Sequence, residues 1–302
     1  MLADVSAPRS DDGQVDALLE GRASVDLTHH RKIHVTGEDA RVWLNDLVTA
    51  GVEALEPGEA RRSLLLSPTG RIRADLHVYG LEDGLLLVQD PAQPSPVDTL
   101  LDRYVLSSDV RLTDRTKELC LFALPGRELP AGIEDLPTWQ PSCLGEGADV
   151  LLPVDRRAQA SARLLAAGRV AAGEEAVEAW RVLSGRARYP VDLDEDSLPA
   201  EAGLDARTVD TTKGCFLGQE SVARVRNLGH PPWVVRPFRA EGHVAPGDAL
   251  VLDGREVGRV TSAVPTTGGT ALLARVRWEA RQAELRTPAG LVVGRPSAPG
   301  SP

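Results

Sequence analysis

Ile33 and Val35 alternate with polar neighbours, which predicts a short strand. Thr36 offers an N-cap oxygen, and Asp39 stands three residues on in a capping-box arrangement. Ala40, Trp43, Leu44 and Leu47 follow at i, i+3, i+4 and i+7, predicting an amphipathic helix that closes at Gly51. Leu64 to Leu66 form an apolar run, Ser67-Pro68-Thr69-Gly70 supplies a turn, and Ile72, Ala74, Leu76 and Val78 then alternate with polar residues. A turn at Glu82-Asp83-Gly84 returns the chain into Leu85 to Val88, completing a β-meander. The polar face of that meander, Arg73, Asp75 and His77, has two readings: a solvated surface, or a wall facing a ligand cavity.

Pro91 to Pro96 break the meander, and Val97, Leu100, Leu101 and Tyr104 repeat at helical spacing. Strands are expected at Val110 and Leu112, Leu119 to Ala123 and Val150 to Leu152, a loop over 126–148, and helices over 158–167 and 174–183. Strands mixed with helices but without repeated βαβ units favour an α+β fold. Beyond residue 232 the texture changes. Short apolar segments around Val234, Leu250, Val257, Leu272 and Leu291 are separated by Pro246-Gly247, Asp253-Gly254 and Gly268-Gly269, which predicts a small β-barrel or sandwich. The implied organisation is a loose tail over 1–20, a core of two subdomains over 21–230, a barrel over 231–296 and a tail over 297–302.

The 302 residues are 42% hydrophobic and 26% charged, the balance of a globular chain with a real core. A net charge of -10 argues against non-specific nucleic-acid binding. No apolar run reaches the roughly 20 residues a membrane span needs, and the acidic first 20 residues do not read as a signal peptide. A cytoplasmic location is expected. Cys120, Cys143 and Cys215 are widely spaced and odd in number, so neither a disulfide framework nor a zinc site is suggested.

The candidate chemistry lies in Lys213-Gly214-Cys215-Phe216-Leu217-Gly218-Gln219-Glu220. A neighbouring cation, glycine-exposed amides and a helix N-terminus each favour a thiolate, so Cys215 is a plausible activated thiol. Lysine occurs only at positions 32, 117 and 213 in a chain that otherwise uses arginine. Gln219 and Glu220 could bind a ligand or cap the next segment. The alternative is a buried structural cysteine in a turn.

This segment matches the K-G-C-[Y/F]-x-G-Q-E signature of the YgfZ-type folate-binding proteins. Arg188-Tyr189-Pro190 and Leu198 to Leu204 upstream, Ser221-Val222-Ala223-Arg224 and Gly258 to Ser262 downstream, resemble the same family, and the likeness runs over about residues 24–296. That family shares its fold with the glycine-cleavage T-protein, a tetrahydrofolate-dependent aminomethyltransferase. The resemblance implies a T-protein-like folate-binding core of ferredoxin-like parts around a central channel, followed by a β-barrel. It implies tetrahydrofolate or a derivative as cofactor. It also implies a role, through the thiol of Cys215, in assembling or maintaining iron–sulfur clusters of client enzymes, one of which modifies transfer RNA. The partners expected are therefore folate and iron–sulfur client or assembly proteins.

The catalytic residues of the T-protein are only partly matched. Its Gly-Gly-x-x-Asp-Asp region corresponds to Thr69 to Asp75, leaving Ala74 at one acidic position and Asp75 at the other. Ser184 stands where the T-protein has its pterin-binding glutamate, and a hydroxyl is a poorer acceptor than a carboxylate. A classical transferase is thereby disfavoured; the alternative keeps Asp75 as the residue assisting one-carbon transfer. The folate carboxylates call for arginine, with Arg224, Arg226, Arg71 and Arg73 as candidates, each of which also reads as a solvated surface residue. Trp233 could stack on a pterin or pack at a domain junction, and His230 could bind metal only if further ligands converged on it. A single cysteine cannot hold a cluster, so Cys215 acts in a shared contact, in thiol exchange, or not at all.

Overall fold

The computed structural model describes residues 12–295. In chain order the elements are α1 (Asp12–Leu19), β1 (Ala23–Asp26), β2 (Arg31–Thr36), α2 (Ala40–Leu47), β3 (Ala60–Leu66), β4 (Ile72–Leu81), β5 (Gly84–Gln89), α3 (Val97–Asp102), β6 (Arg111–Asp114), β7 (Leu119–Pro125), β8 (Thr138–Trp139), β9 (Gly147–Pro153), α4 (Arg157–Ala166), β10 (Val170–Ala172), α5 (Glu174–Leu183), α6 (Asp205–Thr208) and α7 (Gln219–Leu228). The C-terminal strands are β11 (Trp233–Ala240), β12 (Ala249–Leu252), β13 (Arg255–Thr266), β14 (Gly269–Arg277), β15 (Leu285–Arg286) and β16 (Val292–Gly294).

Two five-stranded sheets and one closed barrel carry the α+β fold, with strand orders β3-β4-β5-β2-β6, β10-β1-β7-β9-β8 and β11-β14-β13-β12-β15-β16. The first sheet is the expected meander. The period-2 pattern fixes its faces: Ile33, Val35, Leu76, Val78, Leu85 and Leu87 bury against Trp43 and Leu44 of α2. The opposite face of the same strands, including Tyr79, Leu86 and Val88, packs toward β1, β7 and α5.

Three expectations are corrected. The tail foreseen over 1–20 contains α1, whose Ala17 and Leu18 are buried in one cluster with Ala176 and Trp180 of α5. The rest of that tail, 1–11, and the one at 297–302 lie outside the described residues. The capping box before α2 is not formed. Thr36 ends β2, and the Asp39 carboxylate accepts from the Asp109 amide instead of capping the helix. The loop over 126–148 contains the short strand β8, paired with β9.

Buried ion pairs fasten the barrel to the core. Asp192 is fully enclosed and accepts from Arg181 Nη1 at 2.6 Å, the hydroxyls of Thr261 and Ser262 at 2.5 and 2.7 Å, and the Arg188 amide at 2.9 Å. Arg275 of β14 donates to the buried Glu201 at 2.8 Å. Buried pairs hold when their remaining lone pairs are satisfied, as the four donors on Asp192 satisfy it, and these contacts set α5 and the 186–190 turn against β13.

Candidate functional site

A cavity of about 610 Å³ opens between β4 and β5 on one side and α5 with the 186–189 turn on the other. Its floor is the polar face of the meander. Asp75 and His77 line it, so these two face a cavity rather than open solvent. Arg73, two residues earlier on the same face, does not line it and pairs with Glu195 at 3.0 Å. Arg71 likewise donates to the Asp196 carbonyl.

Two side chains hold Asp75, one at its carboxylate and one at its backbone. Arg62 stands opposite His77 across the β3–β4 ladder, diagonal to Asp75 on the same face. Its guanidinium forks onto both carboxylate oxygens, with Nε to Oδ1 at 2.8 Å and Nη2 to Oδ2. Burial pulls Arg62 down, yet the adjoining carboxylate holds it above its ordinary value. Gln93 bonds the Asp75 backbone twice, accepting from its N–H at 3.0 Å and donating to its carbonyl at 2.8 Å.

The 140–146 loop forms one wall and is organised by Asp149, whose side chain is fully buried. It accepts from Tyr79 Oη at 2.5 Å, Ser142 Oγ at 2.6 Å and the Cys143 amide at 2.7 Å. Burial pushes the Asp149 carboxyl up, against the opposing pull of His77 and these hydrogen bonds. Burial followed by the Asp149 charge raises Tyr79 and Cys143 well above their ordinary values, so the Cys143 thiol stays protonated. His77 is lowered by burial despite Asp149 and the Pro141 carbonyl it meets at 2.9 Å.

The far wall carries cations and unsatisfied donors. Arg186, Arg188 and Arg207 line it beside Trp180 and Tyr189. Arg188 Nε and Tyr189 Oη are buried without a hydrogen-bond partner among the described residues, an arrangement that costs about 1–3 kcal/mol per group until an acceptor arrives. Burial, reinforced by Glu195, pushes Tyr189 up to about 12. His30 lines the same space with Asp90. Burial brings its imidazole down to about 4 against the pull of Asp90, so it is neutral at pH 7. Neutral imidazole, protonated phenol and guanidinium together offer donors to an anionic or carbonyl-rich ligand.

The cysteine motif lies elsewhere. None of Lys213, Gly214, Cys215, Gln219, Glu220 or Arg224 lines the cavity. Cys215 is exposed, so the buried-cysteine alternative does not hold. Its loop is pinned on both sides. Upstream, the Lys213 ammonium donates to the carbonyls of Asn45, Val48 (2.7 Å) and Ala50 (3.1 Å), closing the C-terminal end of α2. Three donors are thus committed to carbonyls and none to the thiol, and burial lowers this lysine to about 8. Downstream, Phe216 is buried among Leu64, Leu66 and Ile72. Gly218 takes φ +82, and a Cβ there would stand 2.5 Å from the Ser67 carbonyl, so the approach of the loop to the β3–β4 turn requires glycine. Gly214 meets no such crowding. Gln219 and Glu220 open α7, on which Arg224 and Arg226 are exposed.

The remaining candidates lie outside this cavity. Trp233 packs beneath the Arg277 and Arg275 guanidiniums, 4.7 and 5.7 Å from its ring centre. His230 stacks on Trp278 at 4.5 Å. Ser184 lines a second cavity and not the first. The residues that sequence reasoning missed, Arg62, His30, Tyr189, Arg186 and Arg207, sit on segments far apart in the chain. Only the Arg-Tyr-Pro resemblance touched one of them.

The sequence profile of the family described as GCVT N-terminal domain matches residues 11–131. A protein of Arabidopsis thaliana named "Putative transferase At1g60990, chloroplastic" is 28% identical over 86% of this chain and 65% of its own length. The aminomethyltransferase of Thermosynechococcus vestitus is 27% identical over 83% of this chain and 75% of its own. The chain therefore spans about two thirds to three quarters of these relatives. The crystal structure of glycine cleavage system aminomethyltransferase T from Bartonella henselae superposes with a TM-score of 0.78 at 20% identity, covering 94% of this chain and 88% of that one. The fold is that of the aminomethyltransferase T-protein. No helix among the described residues is long and apolar enough to cross a membrane.

Proposed function

We propose that this chain binds a reduced folate in the cavity beside Asp75. In this reading it serves as an accessory protein for iron–sulfur enzymes through the thiol of Cys215, of the YgfZ type, and not as an aminomethyltransferase. The observation that carries the reading is the rigid presentation of an exposed thiol on the motif loop, outside the cavity. Phe216 and Lys213 anchor that loop from both sides. A group held this way is aimed at a partner molecule more readily than at a ligand in the cavity.

Folate suits the residues present. The volume lies in the usual range of about 300–1,000 Å³ for small-molecule sites. Trp180 and Val88 supply apolar surface for a ring, Asp90 supplies a carboxylate, and Arg188 Nε with Tyr189 Oη supply two donors in want of an acceptor. Arg186 and Arg207 suit a carboxylate tail. Folate would supply a one-carbon carrier. The chain's own residues would position its ring and tail.

Asp75 is poorly placed as a proton acceptor, since Arg62 already occupies both of its oxygens. A transferase reading draws support from the names of the relatives and from the position of Asp75 on the cavity floor. Calorimetric titration of the purified chain with 5-formyltetrahydrofolate, beside an aminomethyl-transfer assay, separates the two. Binding without turnover is expected. Turnover abolished by Asp75→Asn and untouched by Cys215→Ala would establish the transferase instead.

A further inference from the structure

One end of the barrel concentrates positive charge, on a chain whose net charge is -10. Along β11, Val234 and Phe238 enter the barrel's own apolar cluster with Ala280, whereas Val235 joins the cluster of the core. Arg236 shares the parity of Val234 and Phe238, so its side chain stands on the inner face of the barrel, half-buried. Its Nη1 donates to the Val235 carbonyl at 3.0 Å, a main-chain contact that leaves the charge uncompensated.

Two more guanidiniums close around it. In the β11–β16 ladder Arg239 stands opposite Gly294 and Ala240 opposite Val293. The next step sets Arg295 opposite Phe238, diagonal to Arg236 on the same face. The Trp278–Ala280 turn that ends β14 brings Arg281 over this end of the barrel. The Arg281 guanidinium lies 3.9 Å from the Trp278 ring centre and donates to the Trp278 carbonyl at 2.8 Å, and His230 stacks on the same ring at 4.5 Å. Burial lowers Arg236, and the charges of Arg295 and Arg281 lower it further, so the three share one positive field.

The ion pairs of the barrel belong to other guanidiniums: Arg275 with Asp194 and Glu201, Arg259 with Glu256, and Arg286 with Glu284. Glu279, the acid of the turn, reaches none of the three within ion-pair distance among the described residues. A partly desolvated cation facing two others is relieved by an anion. Arg295 is exposed and Arg281 half-buried, so the charges open onto a surface that a protein can reach. Beyond the patch, the net charge of -10 repels a long polyanion such as nucleic acid, whereas a short acidic segment meets the arginines alone.

The patch also stands in a fixed relation to the thiol. The 10-residue α7 starts just after the Cys215 loop and ends just before His230. A single helix about 15 Å long therefore joins the motif loop to the patch.

We propose that Arg236, Arg281 and Arg295 form a docking site for an acidic segment of the protein to which Cys215 is presented. This rests on the reading of Cys215 as a partner-facing thiol, and adds the place and the chemistry by which that partner is held. Charge pairing at an exposed rim speeds encounter and fixes register, and it weakens with salt.

Fluorescence anisotropy at low salt reads the binding of a labelled octaglutamate peptide to the full chain. Wild type is compared with Arg281→Gln, Arg295→Gln, their double variant, and Arg111→Gln, an exposed arginine of the first sheet. The double variant is expected to raise the Kd at least about tenfold, and Arg111→Gln less than about twofold. Should Arg281→Gln fail to fold, Arg295→Glu at its exposed position carries the same test. A wild-type chain that does not bind, or an equal loss in Arg111→Gln and the double variant, would overturn the proposal. Displacement of the peptide by equimolar phosphate, or tighter binding of an octauridylate to the same arginines, would overturn it in favour of a free anion or a nucleic acid. Cys215→Ala is expected to bind the peptide as wild type does, so failure of the docking site and failure of the thiol reading are told apart.

Discussion

The Arg62 guanidinium grips both oxygens of the Asp75 carboxylate, across the diagonal of the β3–β4 ladder. The Asp75 side chain is only 13% exposed and that of Arg62 33%, so water screens the pair in part. Removing the cation leaves a mostly buried carboxylate alone. Arg62→Met is expected to cost about 1–3 kcal/mol, below the full loss for a wholly buried pair. Addition of Asp75→Asn should recover much of it. Urea unfolding of the two single variants and the double variant gives the coupling directly.

Asp149 holds the 140–146 wall of the cavity through Tyr79, Ser142 and the Cys143 amide. Asp149→Ala strands three buried donors and opens a void. A loss of about 3–5 kcal/mol is expected, read as a lowered denaturation midpoint. Folate affinity should fall in the same variant where it still folds, because the wall loses its anchor.

Burial keeps His30 neutral, with a folded pKa of about 4 against 6.5 when free. Between those values the unfolded chain binds the extra proton. His30 therefore contributes stability that is present above pH 6.5 and fades as pH falls toward 4. The difference amounts to roughly 3 kcal/mol at most. A pH series of unfolding free energies for wild type and His30→Gln should diverge in this window. Parallel curves would show that His30 does not titrate there.

Cys215 is exposed, Cys120 is buried, and Cys143 is half-buried in the cavity wall and held protonated by burial and Asp149. Burial likewise raises Cys120. Alkylation by iodoacetamide in the native state should modify Cys215 at least tenfold faster than either of the others. Peptide mapping of the time course reads this. Equal rates for all three would mean the loop is not the accessible thiol site.

Much of this architecture is legible in the chain because its signals are local. Ile72 to Val78 alternate at period 2, and the barrel strands are cut by glycine turns, so both emerge from the pattern. Elements whose reason lies elsewhere do not. The four residues Ala23–Asp26 carry little alternation, and they become β1 because β7 and β10 flank them. α7 is polar, with no buried residue described, and starts where Gly218 turns the chain. The cysteine motif could be recognised as a string, but its separation from the cavity could not. Lys213 reads as a partner for the thiol and instead closes α2, 163 to 168 residues away in sequence. The cavity itself joins β3, β4, the 140–146 loop, α5 and α6, a convergence that no window of sequence contains.

The proposed role of the exposed thiol is tested most directly by complementation. Cells lacking their own copy receive wild type, Cys215→Ala or Asp75→Asn, and the activity of an iron–sulfur enzyme is measured under oxidative stress. Because Cys215 is exposed, its replacement should change stability by less than about 0.5 kcal/mol, so lost activity reports function and not folding. The account predicts that Cys215→Ala behaves like the empty vector. Full restoration by Cys215→Ala, with failure of Asp75→Asn, would contradict it and return the chemistry to the cavity floor.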